Sequence, residues 1–310
     1  MKRSFFVLLL TALLLTGCVP ARPADAPAPA DAITFTDDLG RTVAVPRPSR
    51  VAALIGSFAD IWCLAGGRDT LVAAAGDAWT SFDLGLDETV TDLGGVKAPD
   101  LEALIASAPD LVLASANTAA QVELLDTLEN MGLNCAYFNV SSFEDYLRML
   151  DICTQLTGCP DNYRRYGADV QAQVEAARLR QDGSTPTVLY VRSTGVSCKV
   201  KNSRDSVLGE MLADLGCLNI ADNGDSRLEA LSMEAILQAD PDYVFAVLQG
   251  SDPAPARRTL EQELLSNPAW SSLTAVREGR FHILDAQLYN LKPNARWGEA
   301  YENLAQILYP

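Results

Sequence analysis

Pro160 to Gln181 reads PDNYRRYGADVQAQVEAARLRQ, and the folding of this one stretch decides the architecture. Proline is tolerated at the first position of a helix, where its missing N–H would have no partner anyway. From there a helix is predicted to about Gln181, where Asp182-Gly183-Ser184 breaks it. At 1.5 Å per residue, roughly 22 residues span about 33 Å, enough to cross between two folded bodies. The flanking sequence is therefore read as two units.

Before the crossing, a helix is predicted over Ser142–Gly158, ending in Thr157-Gly158. Short strands are predicted at Arg50–Ile55, Leu71–Ala75 and Leu111–Ala114, alternating with helices at Phe58–Leu64 and Asp100–Ser107. Two alternating stretches flank Asp38-Leu39-Gly40 and predict a β-hairpin. Beyond the crossing, Thr187–Val191 opens a second pattern of strands and helices that runs to residue 310. Such alternation implies parallel sheets with helices on both faces. The predicted class is α/β: two Rossmann-like lobes of mainly parallel sheet, joined by a single long helix, with a ligand cleft between the lobes. The N-terminal lobe takes residues 33–159, the interlobe helix 160–181 and the C-terminal lobe 182–310.

An internal echo supports two similar lobes. Glu102-Ala103-Leu104-Ile105 leads, seven residues after the Glu, to Pro109-Asp110-Leu111-Val112. Glu234-Ala235-Ile236-Leu237 leads, at the same spacing, to Pro241-Asp242-Tyr243-Val244. Asp100 and Ser232 are the expected N-caps of the two helices.

Lys2 and Arg3 precede an apolar run from Phe5 to Leu15 that ends in Thr16-Gly17-Cys18. The run is too short to cross a bilayer, which takes about 20 residues, and reads as a secretion signal over 1–17. Leu15-Thr16-Gly17-Cys18 resembles the lipobox of bacterial lipoproteins, which implies cleavage before Cys18 and acylation of its thiol and new amine. Residues 18–32, rich in Pro, Ala and Asp, read as a semi-rigid tether. Six further cysteines permit 15 pairings. Cys63 and Cys135 lie in apolar surroundings and read as buried thiols, while Cys153 with Cys159, and Cys198 with Cys217, are the expected bridges.

The 310 residues carry 24 Lys plus Arg against 40 Asp plus Glu, a formal charge of −16. That balance excludes a nucleic-acid partner, which needs a cationic face. Hydrophobic residues at 48% and charged residues at 21% allow a normal core and exclude wholesale disorder. His282 is the one histidine, which excludes metal sites built from several imidazoles. No metal site and no resident cofactor are expected. The chain carries no GxSxG elbow, no P-loop and no HExxH. His282 sits in the alternating strand Arg280–Leu284, where a packed residue is expected, so enzymatic activity is not.

Several segments together resemble the substrate-binding proteins of bacterial ABC importers for ferric siderophores, haem and vitamin B12, with a class III periplasmic-binding-protein-like fold. They are Asp37-Asp38-Leu39-Gly40-Arg41-Thr42-Val43, Gly94-Gly95 with Asp100-Leu101-Glu102, Ser232-Met233-Glu234, Asn267-Pro268-Ala269-Trp270 and Ala275-Val276-Arg277-Glu278-Gly279-Arg280. The likeness covers nearly all of residues 33–310. It implies an extracytoplasmic, lipid-anchored monomer that captures an iron chelate, siderophore or haem, and delivers it to a permease. Cobalamin is the alternative guest. A surface sensor, an adhesion lipoprotein and a hydrolase-type enzyme are the remaining readings. The resemblance further implies that Glu102 and Glu234, one on each lobe, dock on arginines of the permease.

In open α/β lobes, ligands contact loops beyond the C-terminal ends of the strands. Those loops carry the candidate ligand-binding residues: Phe58, Trp79, Phe82 and Asn117 in the first lobe, and Arg192, Lys199, Lys201, Arg204, Gln249, Tyr289, Arg296 and Trp297 in the second. Lys292 adds a further base. Aromatic walls suit a bulky guest, and a local base cluster focuses an anion against the overall charge.

Overall fold

A computed structural model describes residues 32–204, 206–250 and 252–310. The expected secretion signal over 1–17, the lipidated Cys18 and all of the 18–32 tether except residue 32 lie outside the described residues. Strands β1 (Ile33–Thr36) and β2 (Thr42–Val45) form the expected antiparallel hairpin, with Ile33 opposite Val45. Its Asp-Asp-Leu-Gly-Arg turn is a staple. The Asp37 carboxylate accepts from the backbone N–H of Leu39 and Arg41 and from the Arg41 guanidinium. Arg41 goes on to donate to Cys135 O at 3.0 Å.

The first sheet is built from β3 (Val51–Ala53), β4 (Leu71–Ala74) and β5 (Thr91–Asp92), then β8 (Leu111–Ser115) and β9 (Asn134–Phe138). A short antiparallel pair, β6 (Gly94–Gly95) and β7 (Ala98–Pro99), precedes β8. The sheet order is β5-β4-β3-β8-β9, parallel throughout. In the second sheet, β10 (Thr187–Ser193) pairs in parallel with β12 (Leu218–Asn219) and β13 (Tyr243–Leu248), and β13 pairs in parallel with β14 (Phe281–Leu284). One strand, β11 (Cys198–Lys201), runs antiparallel beside Tyr190–Ser193 of β10.

Two helices follow β9 in the chain and precede β10. Helix Phe143–Thr157 opens on a reciprocal Ser142–Asp145 capping box and closes on Gly158 at φ 72°, a left-handed conformation that glycine adopts without strain. The second helix starts at Pro160 and passes through a wider π turn at Arg164–Ala168. It ends at Arg178, a few residues short of the expected end. There the hydrogen bonds tighten: Arg180 and Gln181 donate to Ala177 and Arg178 instead of one residue further back. Helix Trp297–Leu308 lies against it so closely that a methyl group on Gly298 would strike the Gln173 side chain.

One face of each sheet enters a shared core, and the other a private one. Val51, Ala53, Leu111 and Leu113 of the first sheet join Val188, Tyr190, Phe245 and Val247 of the second. The opposite faces bury Ala52, Ala73 and Val112 in one cluster and Leu189, Val191 and Val244 in another. Arg178 ties the elements further, reaching Glu144 at 3.1 Å, Glu175 at 2.7 Å and Asp214.

The expected bridges Cys153–Cys159 and Cys198–Cys217 do not form: all six described cysteines are free thiols. Cys198 belongs to the private core of the second sheet and Cys217 to the shared one, so the sheet separates them. Cys153 is sealed inside its helix packing, whereas Cys159 sits beyond the helix end against Gly66.

Candidate functional site

The C-terminal ends of both sets of strands converge on a cleft divided into two cavities. The larger, about 250 Å³, is lined by Asp60 and Leu64 of helix Gly56–Leu64, by Ser81 and Phe82, and by Gln287 and residues from Leu291 to Arg296. The other, about 200 Å³, takes Asn117 and Ser141 from the first sheet's loops. Tyr190 and Arg192 of β10, Ser206, Tyr289, Asn290 and Lys292 close it from the other side. Residues distant in sequence thus meet around one opening, as the rule for α/β sheets requires.

Alternation along β10 settles which side chains face the cleft. Val188 and Tyr190 turn to the shared core, Leu189 and Val191 to the private one, so Arg192 follows Tyr190. Across the antiparallel ladder Lys199 stands opposite Arg192 and Lys201 opposite Tyr190. Directly opposed residues share a face with Cβ atoms about 5 Å apart, and like charges there cost stability. Arg192 and Lys199 have no ion-pair partner among the described residues. By contrast Arg41, Arg148, Arg178 and Arg280 are all paired with carboxylates.

The other expected ligand residues divide by burial. Phe82 and Asn117 line the cavities, and Trp79 is partly buried against the core beside them. Phe58 has no exposed surface and packs edge-on against Phe138. Trp297 is equally enclosed, 5.8 Å from Phe143 between ring centres. Tyr289 reaches a cavity wall, but its hydroxyl donates to Ala300 O at 3.0 Å and burial pushes its pKa up. Arg296 lines the larger cavity while its guanidinium grips Glu299 at 2.7 and 2.8 Å. Arg204 and Gln249 are exposed and, with Lys199 and Lys201, stand outside both cavity walls.

Asp60, Ser141, Tyr190, Ser206 and Asn290 enter the site without having been picked out in the sequence. Asp60 and Asn294 form its buttress. The Asn294 amide donates to Ser57 O at 3.0 Å and to Asp60 Oδ2 at 2.7 Å, from a backbone at φ 51°. Burial raises the Asp60 carboxyl above its ordinary value against the pull of that hydrogen bond. Nothing in the local pattern near Ser141 or Ser206 marks them, because only the tertiary fold brings them together.

Glu102 and Glu234 are both exposed, each at the second position of a capped helix. Asp100 accepts from Ala103 N at 3.0 Å and Ser232 from Ala235 N at 3.4 Å, as the capping pattern requires. His282 lies within β14, stacked on Tyr243 and Phe245 and away from both cavity walls.

The Fe(3+)-citrate-binding protein YfmC of Bacillus subtilis is 25% identical over 292 residues, spanning 90% of this chain and 87% of the relative. The ferric-anguibactin-binding protein FatB of Vibrio anguillarum is 25% identical over 303 residues, spanning 89% of this chain and 87% of the relative. Among solved structures, the periplasmic vitamin B12 binding protein BtuF of Vibrio cholerae matches with a TM-score of 0.68 at 19% identity. That match covers 84% of this chain and 97% of that one. The sequence profile described as periplasmic binding protein matches residues 51–288. With a two-sheet α/β body, a cleft at the strand ends and a profile match over most of its length, the chain belongs to the periplasmic binding protein family, the substrate-binding proteins of ABC importers.

Proposed function

We propose that this protein captures an anionic ferric chelate outside the cytoplasm and delivers it to an ABC importer permease. The observation that carries this reading is Arg192 on the wall of the smaller cavity with Lys199 opposite it on the neighbouring strand, neither with a carboxylate partner, in a chain rich in acid. A guest with negative charge supplies the counter-charge that the fold withholds, and its chelated iron arrives fully coordinated. Haem would call for an axial donor. The Tyr289 hydroxyl is committed to Ala300, and His282 is stacked within its strand. The names of YfmC and FatB, both binders of ferric chelates, support the same class.

In this reading Phe82, Asn117, Arg192 and Arg296 border the guest, with Trp79 behind them. Lys199, Lys201, Arg204 and Gln249 act from the rim. The lobes take residues 33–159 and 182–310, the 160–181 helix bridges them, and Cys18 carries the lipid that holds a monomeric body at the membrane. Glu102 and Glu234 meet cationic pockets of the permease, fixing orientation more than adding affinity.

Intrinsic tryptophan fluorescence, titrated with ferric citrate, haem and cobalamin at several ionic strengths, tests the reading. Ferric citrate is expected to bind tightest and to weaken as salt rises. Tighter binding of cobalamin or haem, indifferent to salt, overturns it.

A further inference from the structure

The two cavities are separated by a strap from Asn290 to Pro293. Asn290 faces the smaller cavity, Leu291 and Pro293 the larger, and Lys292 lines both. Asn294 pins the end of the strap to helix Gly56–Leu64 through Ser57 O and Asp60. Lys292 therefore sits where a guest in either cavity meets it.

This ammonium has no carboxylate at ion-pair distance among the described residues. Asp77 is the acid whose charge acts on it, and the Asp77 carboxylate is engaged elsewhere, accepting the Gly56 N–H at 2.8 Å. Burial draws the Lys292 pKa below its ordinary value. A half-buried cation without a contacting partner keeps its charge unmatched until an anionic group reaches it. Such mismatches are retained where activity needs them.

We infer that Lys292 is a specificity-determining residue of the cleft, selecting guests that bring an anionic group to the strap between the two cavities. This rests on reading the cleft as a site for an anionic ferric chelate. Arg192, on the wall of the smaller cavity, and Lys199, exposed on the strand opposite it, draw the anion in. Lys292, on the dividing strap, makes the charge-assisted hydrogen bond that distinguishes an anionic guest from a neutral one of the same size.

The test uses the purified full chain and its Lys292→Met and Lys292→Arg variants, with calorimetric titration of ferric citrate and thermal unfolding of the unliganded protein. Lys292→Met is expected to keep or raise the melting temperature, because it removes a half-buried charge that no carboxylate contacts, while losing at least about tenfold in affinity. Lys292→Arg, which keeps the charge, is expected to stay within about threefold of the wild type. If the Met variant binds ferric citrate as the wild type does, the role of Lys292 is overturned. It is equally overturned if both variants lose melting temperature and affinity together, the signature of a structural lysine. A wild type that binds haem or cobalamin but no ferric citrate overturns the reading of the cleft itself, and this inference with it.

Discussion

Asp110 and Asp242 make the same contact in two different sheets. Asp110 Oδ2 accepts from Ser49 N at 2.8 Å and Ser49 Oγ at 2.7 Å, and its Oδ1 from Arg50 N at 3.0 Å. Asp242 Oδ2 accepts from Thr187 N at 2.8 Å and Thr187 Oγ1 at 2.7 Å. Two residues ahead of each, the backbone takes a positive φ, 46° at Ala108 and 39° at Asp240. Each carboxylate ties the start of one strand, β8 or β13, to the start of its parallel neighbour, β3 or β10. The echo in the sequence is therefore an echo of structure, down to hydrogen bonds and backbone angles.

Replacing either aspartate with alanine leaves two or three donors at a strand start without their acceptor. Each substitution is expected to cost about 1–3 kcal/mol, read as a melting temperature lower by about 2–10 °C. The two losses should add, since the sites share no partner. Thermal unfolding followed by circular dichroism checks this; no loss in either variant would count against it.

Glu102 and Glu234 stand exposed at equivalent positions of the two halves, outside both cavities. Glu102→Ala combined with Glu234→Ala is expected to leave ligand affinity within about twofold and to cut permease-dependent uptake at least about tenfold. Uptake of radiolabelled iron in whole cells, set beside calorimetry on the purified variant, separates the two effects. Unchanged uptake would remove the docking role.

Much of the fold was legible because local chemistry and tertiary packing agree. Asp100, Ser142 and Ser232 cap the helices that the pattern places after them, and Gly158 ends one in the left-handed conformation. That strand-end loops line the cavities was legible through the topology rule alone. Which aromatic side chains turn outward was not: Phe58 and Trp297 sit on helices whose buried faces a single sequence does not orient in space. Nor could spacing show that Asp60 and Lys292, near opposite ends of the chain, line one cavity. The cysteine pairing was illegible for a related reason, since the face of the sheet to which Cys198 and Cys217 belong emerges only from strand order.

The raised Asp60 carboxyl gives a pH-dependent stability with a defined sign. A folded value above the unfolded one means that the native state binds the proton more readily. Its ionisation therefore costs stability as pH rises from about 3.8 through the folded value. Asp60→Asn is expected to raise the melting temperature at pH 7, with the gain shrinking toward acid pH. A gain that grows on acidification would contradict the assignment.

Thiol chemistry reports on both the core and the N-terminus. Burial pushes the Cys63 thiol to about 11 and those of Cys135 and Cys217 to about 12, so these three thiols should react slowly with a thiol reagent at pH 8 in the native protein. Unfolding in guanidinium should release all six described cysteines without any reductant. If Cys18 carries lipid, the mature protein yields those six and no seventh. Fewer thiols before reduction than after would show that a disulfide forms.

The most direct measurement is anomalous X-ray diffraction at the iron edge from crystals grown with ferric citrate. The account predicts one strong peak in the cleft, within reach of Arg192 and the Lys292 ammonium. A peak elsewhere on the surface, or iron ligated directly by Tyr289 or His282, would contradict it.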